Sequence, residues 1–238
     1  MGRGKLRFEL LCGQVLDALP AAPATVVDAG GGTGQLAVAL AGHGYRVTVV
    51  DTSAAMLATC AQRAADEGGE VAERVTTVQG DAADLPHLLG EGSQDAAVCH
   101  DLLTRVDDQA ALLASLAGAL AAGGVLSLGF ANRDWLALRA GSRGDHTAAL
   151  RLVNGGEAVT LEEAGQLLDK AGFELVTASG VGVFADAGDD DLGPAELATL
   201  VELERLVAGR EPYRSSAGTL HLIARRRVFR PELPGDSL

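Results

Sequence analysis

The stretch VVDAGGGTGQLAVALAGHGYRVTVVD, residues 26–51, decides the fold. An apolar run ends in an acid, Asp28, and breaks into glycines at positions 30, 31, 32 and 34. A segment of helical length follows, and a second apolar run ends in another acid, Asp51. Strand, tight turn, helix, strand is the start of a parallel α/β sheet, whose ligands sit beyond the carboxyl ends of the strands.

The rest of the chain keeps this rhythm. Apolar runs of strand length recur at 25–29, 47–50, 75–78, 96–99, 125–130, 175–178 and 220–224. Alanine- and leucine-rich stretches of helical length lie between them at 35–41, 54–65, 109–121 and 161–170. The expectation is one α/β domain over 1–238, a Rossmann-like, doubly wound, mostly parallel seven-stranded sheet with helices on both faces. Residues 1–20 read as an N-terminal helical segment. Thr160 and Glu163 fit a capping box at a helix start. Pro194 suits a first helical turn and Gly209 the residue beyond a last one. Residues 133–160 break the alternation and read as an insertion over the sheet's carboxyl edge.

Composition narrows the function. A chain of 238 residues can bury a real core. It has no apolar run of the roughly eighteen residues a membrane span needs, and its start, MGRGKLRFELL, lacks a signal peptide's apolar core and cleavage site. Cys12, Cys60 and Cys99 form no CxxC pair, so the reading is three reduced, mostly buried thiols in a cytoplasm. The formal charge of −13 argues against loose nucleic-acid binding. The charge is uneven, however. Between Arg205 and Arg230 seven arginines face a single acid, Glu211, while acids crowd stretches such as 186–196.

The acids at the strand ends describe the ligand. A dinucleotide turn is G-x-G-x-x-G, with a helix N-terminus aimed at a pyrophosphate. Here the pattern is D-x-G-x-G-x-G, from Asp28 through Gly30, Gly32 and Gly34. The third glycine comes one residue early and an acid precedes the first. A negative charge at Asp28 suits a cationic amino group and a sulfonium better than a diphosphate. Asp51 is placed to accept hydrogen bonds from ribose hydroxyls. Asp81, in VQGDAADLP, ends the third strand and can take the exocyclic amine of adenine. An adenosine carrying a positive amino-acid tail is S-adenosylmethionine, the expected cofactor.

The chain also resembles a narrower family, the bacterial tRNA 5-carboxymethoxyuridine methyltransferases, a branch of the class I enzymes. The resemblance runs from GKLR at 4–7 to HLIARR at 221–226, and is most specific at GGVLSLGFAN (123–132), GVGVFAD (180–186) and LVELERLVAGREPY (200–213). It implies that Arg7 reaches the cofactor from the N-terminal segment, that Gly30 and Gly31 lie against it, and that Asp51 binds its ribose. It implies further that Ala82 and Ala83 flank the adenine and that His100 stands at the pocket mouth. The family's reaction is methyl esterification of the carboxymethoxy group of a wobble uridine. The chain departs from the family in a lysine-rich stretch, replaced here by residues 142–160, in the aromatic before Asn132, here Ala131, and in an acid–tryptophan pair, here Thr104 and Arg105.

A carboxylate is ionised at neutral pH, so its methylation asks the protein for orientation rather than for a general base. That agrees with a sequence lacking an Asn-Pro-Pro-Tyr motif, paired catalytic cysteines or a metal cluster. His100 is the single catalytic candidate. Asn132, Arg133, Arg143 and Tyr213 are candidates for holding the acceptor. A tRNA acceptor would place Arg7 and the arginines of 210–230 around the pocket mouth. A small-molecule O- or C-methyltransferase is the alternative, and would close that mouth with residues 133–160.

Overall fold

The computed structural model describes residues 3–156, 158–185 and 193–228. All seven apolar runs are strands: β1 (Thr25–Ala29), β2 (Arg46–Asp51), β3 (Val75–Gln79), β4 (Gln94–His100), β5 (Leu120–Ala131), β6 (Phe173–Val181) and β7 (Thr219–Arg226). They form one sheet in the order β3-β2-β1-β4-β5-β7-β6. Pairing is parallel from β3 to β5, and β7 alone runs against both of its neighbours. The order reverses between β1 and β4, which opens a crevice at the carboxyl ends of those two strands.

The helices are α1 (Arg3–Ala18), α2 (Gln35–Gly42), α3 (Ala54–Glu67), α4 (Gly69–Arg74), α5 (Leu85–Leu89), α6 (Gln109–Ala119), α7 (Arg133–Ser142), α8 (His146–Val153), α9 (Leu161–Lys170) and α10 (Pro194–Val207). The capping box is present: Glu163 N donates to Thr160 Oγ1 at 3.2 Å, and Thr160 N to Glu163 Oε2 at 3.0 Å. Pro194 opens α10, and Gly209 lies just past its end.

Alternation along each strand divides the core between the two faces. Val26, Val47, Val49, Ala96 and Val98 pack with Val15 of α1, Leu40 of α2 and Cys60 of α3. Val27, Val50, Ala97, Leu126 and Leu128 pack with Leu112 and Leu116 of α6 and Leu168 of α9. Strands buried on both faces read as nearly continuous apolar runs, which is why they stand out in the sequence. All three cysteines are buried and unpaired. No described helix is long and apolar enough to cross a membrane.

Two of the motifs singled out in the sequence interlock. The carboxylate of Glu204, in α10, is buried and accepts hydrogen bonds from the backbone N–H groups of Val183 (3.1 Å), Phe184 (2.7 Å) and Ala185 (2.9 Å). The Phe184 ring lies 5.8 Å from the Tyr213 ring. Glu204 thus clamps the loop after β6, and the E-L-E stretch does structural work.

The direction of β7 overturns one expectation. Thr219 pairs with Ala131 at the carboxyl end of β5, whereas Arg225 pairs with Val125. Arg225, Arg226 and Arg227 therefore lie toward the opposite edge of the sheet from the crevice. Arg226 donates to the Leu120 carbonyl, and Arg227 pairs with Asp169 at the end of α9. Closer to the crevice edge, Arg214 pairs with Glu211 at 2.6 Å. Arg230 and residues 186–192 lie outside the described residues.

Candidate active site

The site begins with the turn after β1. Gly30, Gly32 and Gly34 all have left-handed backbone, with φ of 70°, 53° and 71°. At Gly32 a side chain would meet nothing closer than Asp51 Oδ2, at 3.9 Å. Its open side is a cradle against which a ligand can approach the backbone. Gly31 is glycine for another reason: a Cβ there would stand 2.5 Å from Asp28 Oδ2 and 2.9 Å from Val49 Cγ1. The acid and the turn above it are packed too closely for any side chain.

Asp28 is the unusual member. It is 4% exposed, and its carboxyl has no hydrogen-bond partner among the described residues. Burial, with a smaller contribution from the charge of Asp51, pushes its pKa up to about 7. A buried carboxyl without a donor is costly unless a ligand supplies one. Asp51, the last residue of β2, is half-satisfied by comparison. Its Oδ2 accepts from Gly32 N at 3.0 Å and its Oδ1 from Ser53 N at 2.8 Å. Each oxygen keeps a second lone pair. Asp81 follows β3 and caps the 3-10 turn Ala82–Asp84, accepting from Ala83 N at 2.9 Å. The Ala82 side chain is buried in the core, so only its backbone is available to a ligand, whereas Ala83 is exposed.

His100 ends β4, in register with Gly129 of β5, which is in turn in register with His221 of β7. A Cβ at Gly129 would come within 3.0 Å of the His100 ring. Its absence lets the two imidazoles meet edge to face, 5.4 Å apart. A hydrogen-bonded chain joins them through the core. His221 Nδ1 lies 2.8 Å from Gln14 Oε1 of α1, His221 Nε2 lies 2.7 Å from Ser127 Oγ, and Ser127 Oγ lies 2.8 Å from His100 Nε2. The amide oxygen can only accept, so His221 carries its proton on Nδ1. Its Nε2 then accepts from the Ser127 hydroxyl, and that oxygen accepts from His100 Nε2–H. His100 is left with a bare lone pair on Nδ1. Burial, then the neighbouring His221 and Arg7, hold its pKa well below the ordinary histidine range, and burial lowers that of His221 to about 4. Both rings are neutral at neutral pH.

This chain predicts a spectroscopic result. Ring-nitrogen NMR on histidine-labelled protein should place the His100 proton on Nε2 and show a neutral ring through the range in which an ordinary histidine titrates. Ser127→Ala leaves two ring nitrogens without their partner, and the single tautomer should give way to a mixture. A His100 protonated on Nδ1 in the wild type would contradict the assignment.

Arg7, from α1, reaches the same edge, its guanidinium 3.9 Å from Asp101 just past β4. The structure thus gathers Asp28, the glycine turn, Asp51, Asp81, His100 and Arg7 around the carboxyl ends of β1 to β4. Two acceptor candidates drop out. Asn132 is 1% exposed; its amide donates to the carbonyls of Ser215 (2.9 Å) and Ala217 (3.0 Å), and its Oδ1 caps α7. Arg133 is bound to Glu163 at 2.5 Å and points at the α9 start. Tyr213 stays half-exposed beside Phe184. Sequence reasoning missed Ser127, His221 and Gln14, which share no local pattern.

Comparison with known proteins gives the class of the protein. A family described as "Methyltransferase domain" matches residues 27–128. The tRNA 5-carboxymethoxyuridine methyltransferase of Escherichia coli is 29% identical over 236 residues, covering 94% of this chain and 89% of that protein. A ubiquinone biosynthesis O-methyltransferase of Xanthomonas euvesicatoria is 30% identical over 167 residues, 68% of each chain. Among solved structures, a possible histamine N-methyltransferase of Thermotoga maritima superposes with a TM-score of 0.63 at 19% identity, covering 94% of this chain and 91% of its own. The geranyl diphosphate C-methyltransferase of Streptomyces coelicolor, in complex with S-adenosylhomocysteine, superposes with a TM-score of 0.63 at 19% identity, covering 92% and 77%. The chain belongs to the class I S-adenosylmethionine-dependent methyltransferases.

Proposed function

We propose that this enzyme methylates the carboxyl of 5-carboxymethoxyuridine at the wobble position of tRNA, giving the methyl ester. The observation that carries the reading is the C-terminal half. Likeness to the Escherichia coli tRNA enzyme extends over 94% of the chain. Two stretches outside the cofactor half on which the sequence resembles that family, 180–185 and 200–213, are tied together through Glu204 and through Phe184 against Tyr213. Asn132 then binds the segment after Tyr213 to the end of β5, at the crevice edge.

The described residues fit the cofactor. In this reading the unpartnered Asp28 and the amino-acid tail's ammonium neutralise each other, Gly32 and its neighbours leave room for the backbone to approach, and Asp51 accepts from the ribose. Asp81 and the Ala83 backbone border the adenine. When bound, S-adenosylmethionine supplies an electrophilic methyl whose transfer leaves a neutral thioether. The acceptor carboxylate arrives ionised, and its lone pair becomes the new O–CH3 bond, so no proton moves. Arg7, the cofactor contact that the resemblance implies, puts a positive charge at the same edge of the sheet. Neutral His100 adds no competing charge, and its Nδ1 can accept from an N–H or O–H of the nucleotide, though not from the ionised carboxylate itself, which helps to orient the acceptor.

Two observations favour the alternative, a small-molecule hydroxyl acceptor: Arg225, Arg226 and Arg227 lie at the edge away from the crevice, and the bare Nδ1 of His100 is the form a base needs to take a hydroxyl proton. Mass analysis of tRNA nucleosides separates the two. In cells lacking the gene, 5-carboxymethoxyuridine should accumulate and its methyl ester disappear. Unchanged nucleosides would overturn the tRNA reading in favour of the hydroxyl acceptor.

A further inference from the structure

We propose that the cavity between α7 and α8 is an anion subsite that holds the RNA backbone beside the nucleotide being methylated. This rests on the tRNA reading above and assigns the surface that would make the contact.

The cavity measures about 720 Å³. Its floor is Thr104, in the segment after β4, and Ala131, the last residue of β5. It therefore adjoins the end of β4 where His100 stands. Its walls carry Arg139 and Arg143 from α7 and its cap, and Arg151 from α8. Among the described residues, none of the three lies within ion-pair distance of a carboxylate. The one acid in the lining, Asp145, has Oδ1 occupied by Ala148 N, at 2.9 Å, as the cap of α8. Arg139 is held with its guanidinium 4.7 Å from the centre of the Trp135 ring.

The rest of the molecule gives this its weight. The chain is strongly acidic, at −13, and five other described arginines are paired with acids: Arg7 with Asp101, Arg74 with Glu70, Arg133 with Glu163, Arg214 with Glu211 and Arg227 with Asp169. Other described arginines, such as Arg46, Arg63 and Arg205, also lack an ion pair among the described residues; what sets Arg139, Arg143 and Arg151 apart is that all three line one cavity. Helix dipoles favour cations at C-terminal turns, where these arginines sit. That accounts for their sign but not for their convergence on a cavity beside the crevice. Leu136, Ala140 and Leu152 line the same cavity with the arginines. Apolar side chains around a cationic cavity suit a single-stranded nucleic acid, which offers phosphates and unstacked base faces together. A small anion has no use for them.

Phosphate contacts release counterions, so they are read in the salt dependence of binding. The probe is a synthetic anticodon stem-loop with an unmodified uridine, bound to the full chain across a salt series. Wild type should bind it. The double variant Arg143→Glu, Arg151→Glu should bind at least roughly tenfold more weakly, with the log–log salt slope shallower by about two. Affinity for S-adenosylhomocysteine and the melting temperature should not change, which excludes misfolding. The pair Arg225→Glu, Arg227→Glu, at the far edge, should have little effect on RNA affinity. The subsite is overturned if the α7–α8 variant binds the stem-loop as wild type does, if the far-edge pair weakens it equally, or if wild type binds pyrophosphate but not the stem-loop. Binding is measured without turnover. A protein that holds the stem-loop through these arginines yet leaves the carboxylated uridine unmethylated refutes the acceptor and keeps the subsite.

Discussion

Asp28→Asn should make the ligand-free enzyme more stable at about pH 8 and bind S-adenosylmethionine more weakly. The two effects have one cause. The Asp28 carboxyl is buried, lacks a donor among the described residues, and has a folded-state pKa of about 7 against an ordinary 3.8. Between those values the folded chain binds more protons than the unfolded one. Stability therefore falls as pH rises through that window, and the loss is complete above about pH 7. Three pKa units correspond to a cost on the order of 4 kcal/mol for carrying the charge. In a chain of this size that is about 10 °C in melting temperature. The neutral amide avoids the cost, so the gain should appear near pH 8 and fade toward pH 5. The same charge is the counter-ion of the ligand's ammonium. Its removal should weaken cofactor binding by roughly tenfold to a hundredfold. It also follows that the cofactor raises the wild-type melting temperature more at pH 8 than at pH 6. An Asp28→Asn variant no more stable than wild type at pH 8, or one with unchanged cofactor affinity, would remove Asp28 from this role.

Asp51→Ala should produce the larger loss of affinity. The carboxylate ties Gly32 N and Ser53 N, so it shapes the turn as well as offering lone pairs to the ligand. Alanine leaves both N–H groups and two ribose hydroxyls without an acceptor. At about 1–3 kcal/mol for each buried group left unpaired, a loss of a hundredfold or more in titration with S-adenosylhomocysteine is expected. Asp51→Asn keeps one acceptor oxygen and should fall between. Wild-type affinity in the alanine variant would mean that the ligand does not bind at the end of β2.

The sheet was legible in the sequence because its central strands are buried on both faces, and mostly apolar runs at 26–29, 47–50 and 96–99, interrupted only by Asp28 and Thr48, have few other uses. The acids assigned here to the cofactor stand out because each lies at or just past the end of such a strand. The acceptor side was not, and the reasons are particular. Asn132 and Arg133 look like free polar residues at the end of a strand. Their partners, Ser215, Ala217 and Glu163, are 83, 85 and 30 residues away, and only the fold reveals that their donors are already used. Arg225, Arg226 and Arg227 read as a basic cluster, but no local signal says that β7 runs antiparallel and carries them to the wrong edge. The relay behind His100 joins residues 207 and 94 apart in sequence, and periodicity carries no information on such pairs.

The most direct test of the account is transfer of a labelled methyl group. Purified enzyme is incubated with labelled S-adenosylmethionine and tRNA bearing 5-carboxymethoxyuridine, in parallel with the same tRNA lacking the carboxyl. The account predicts label on the first tRNA, in an ester that mild base releases, and none on the second. Equal labelling of both, or no labelling by a protein that binds the cofactor, would contradict it.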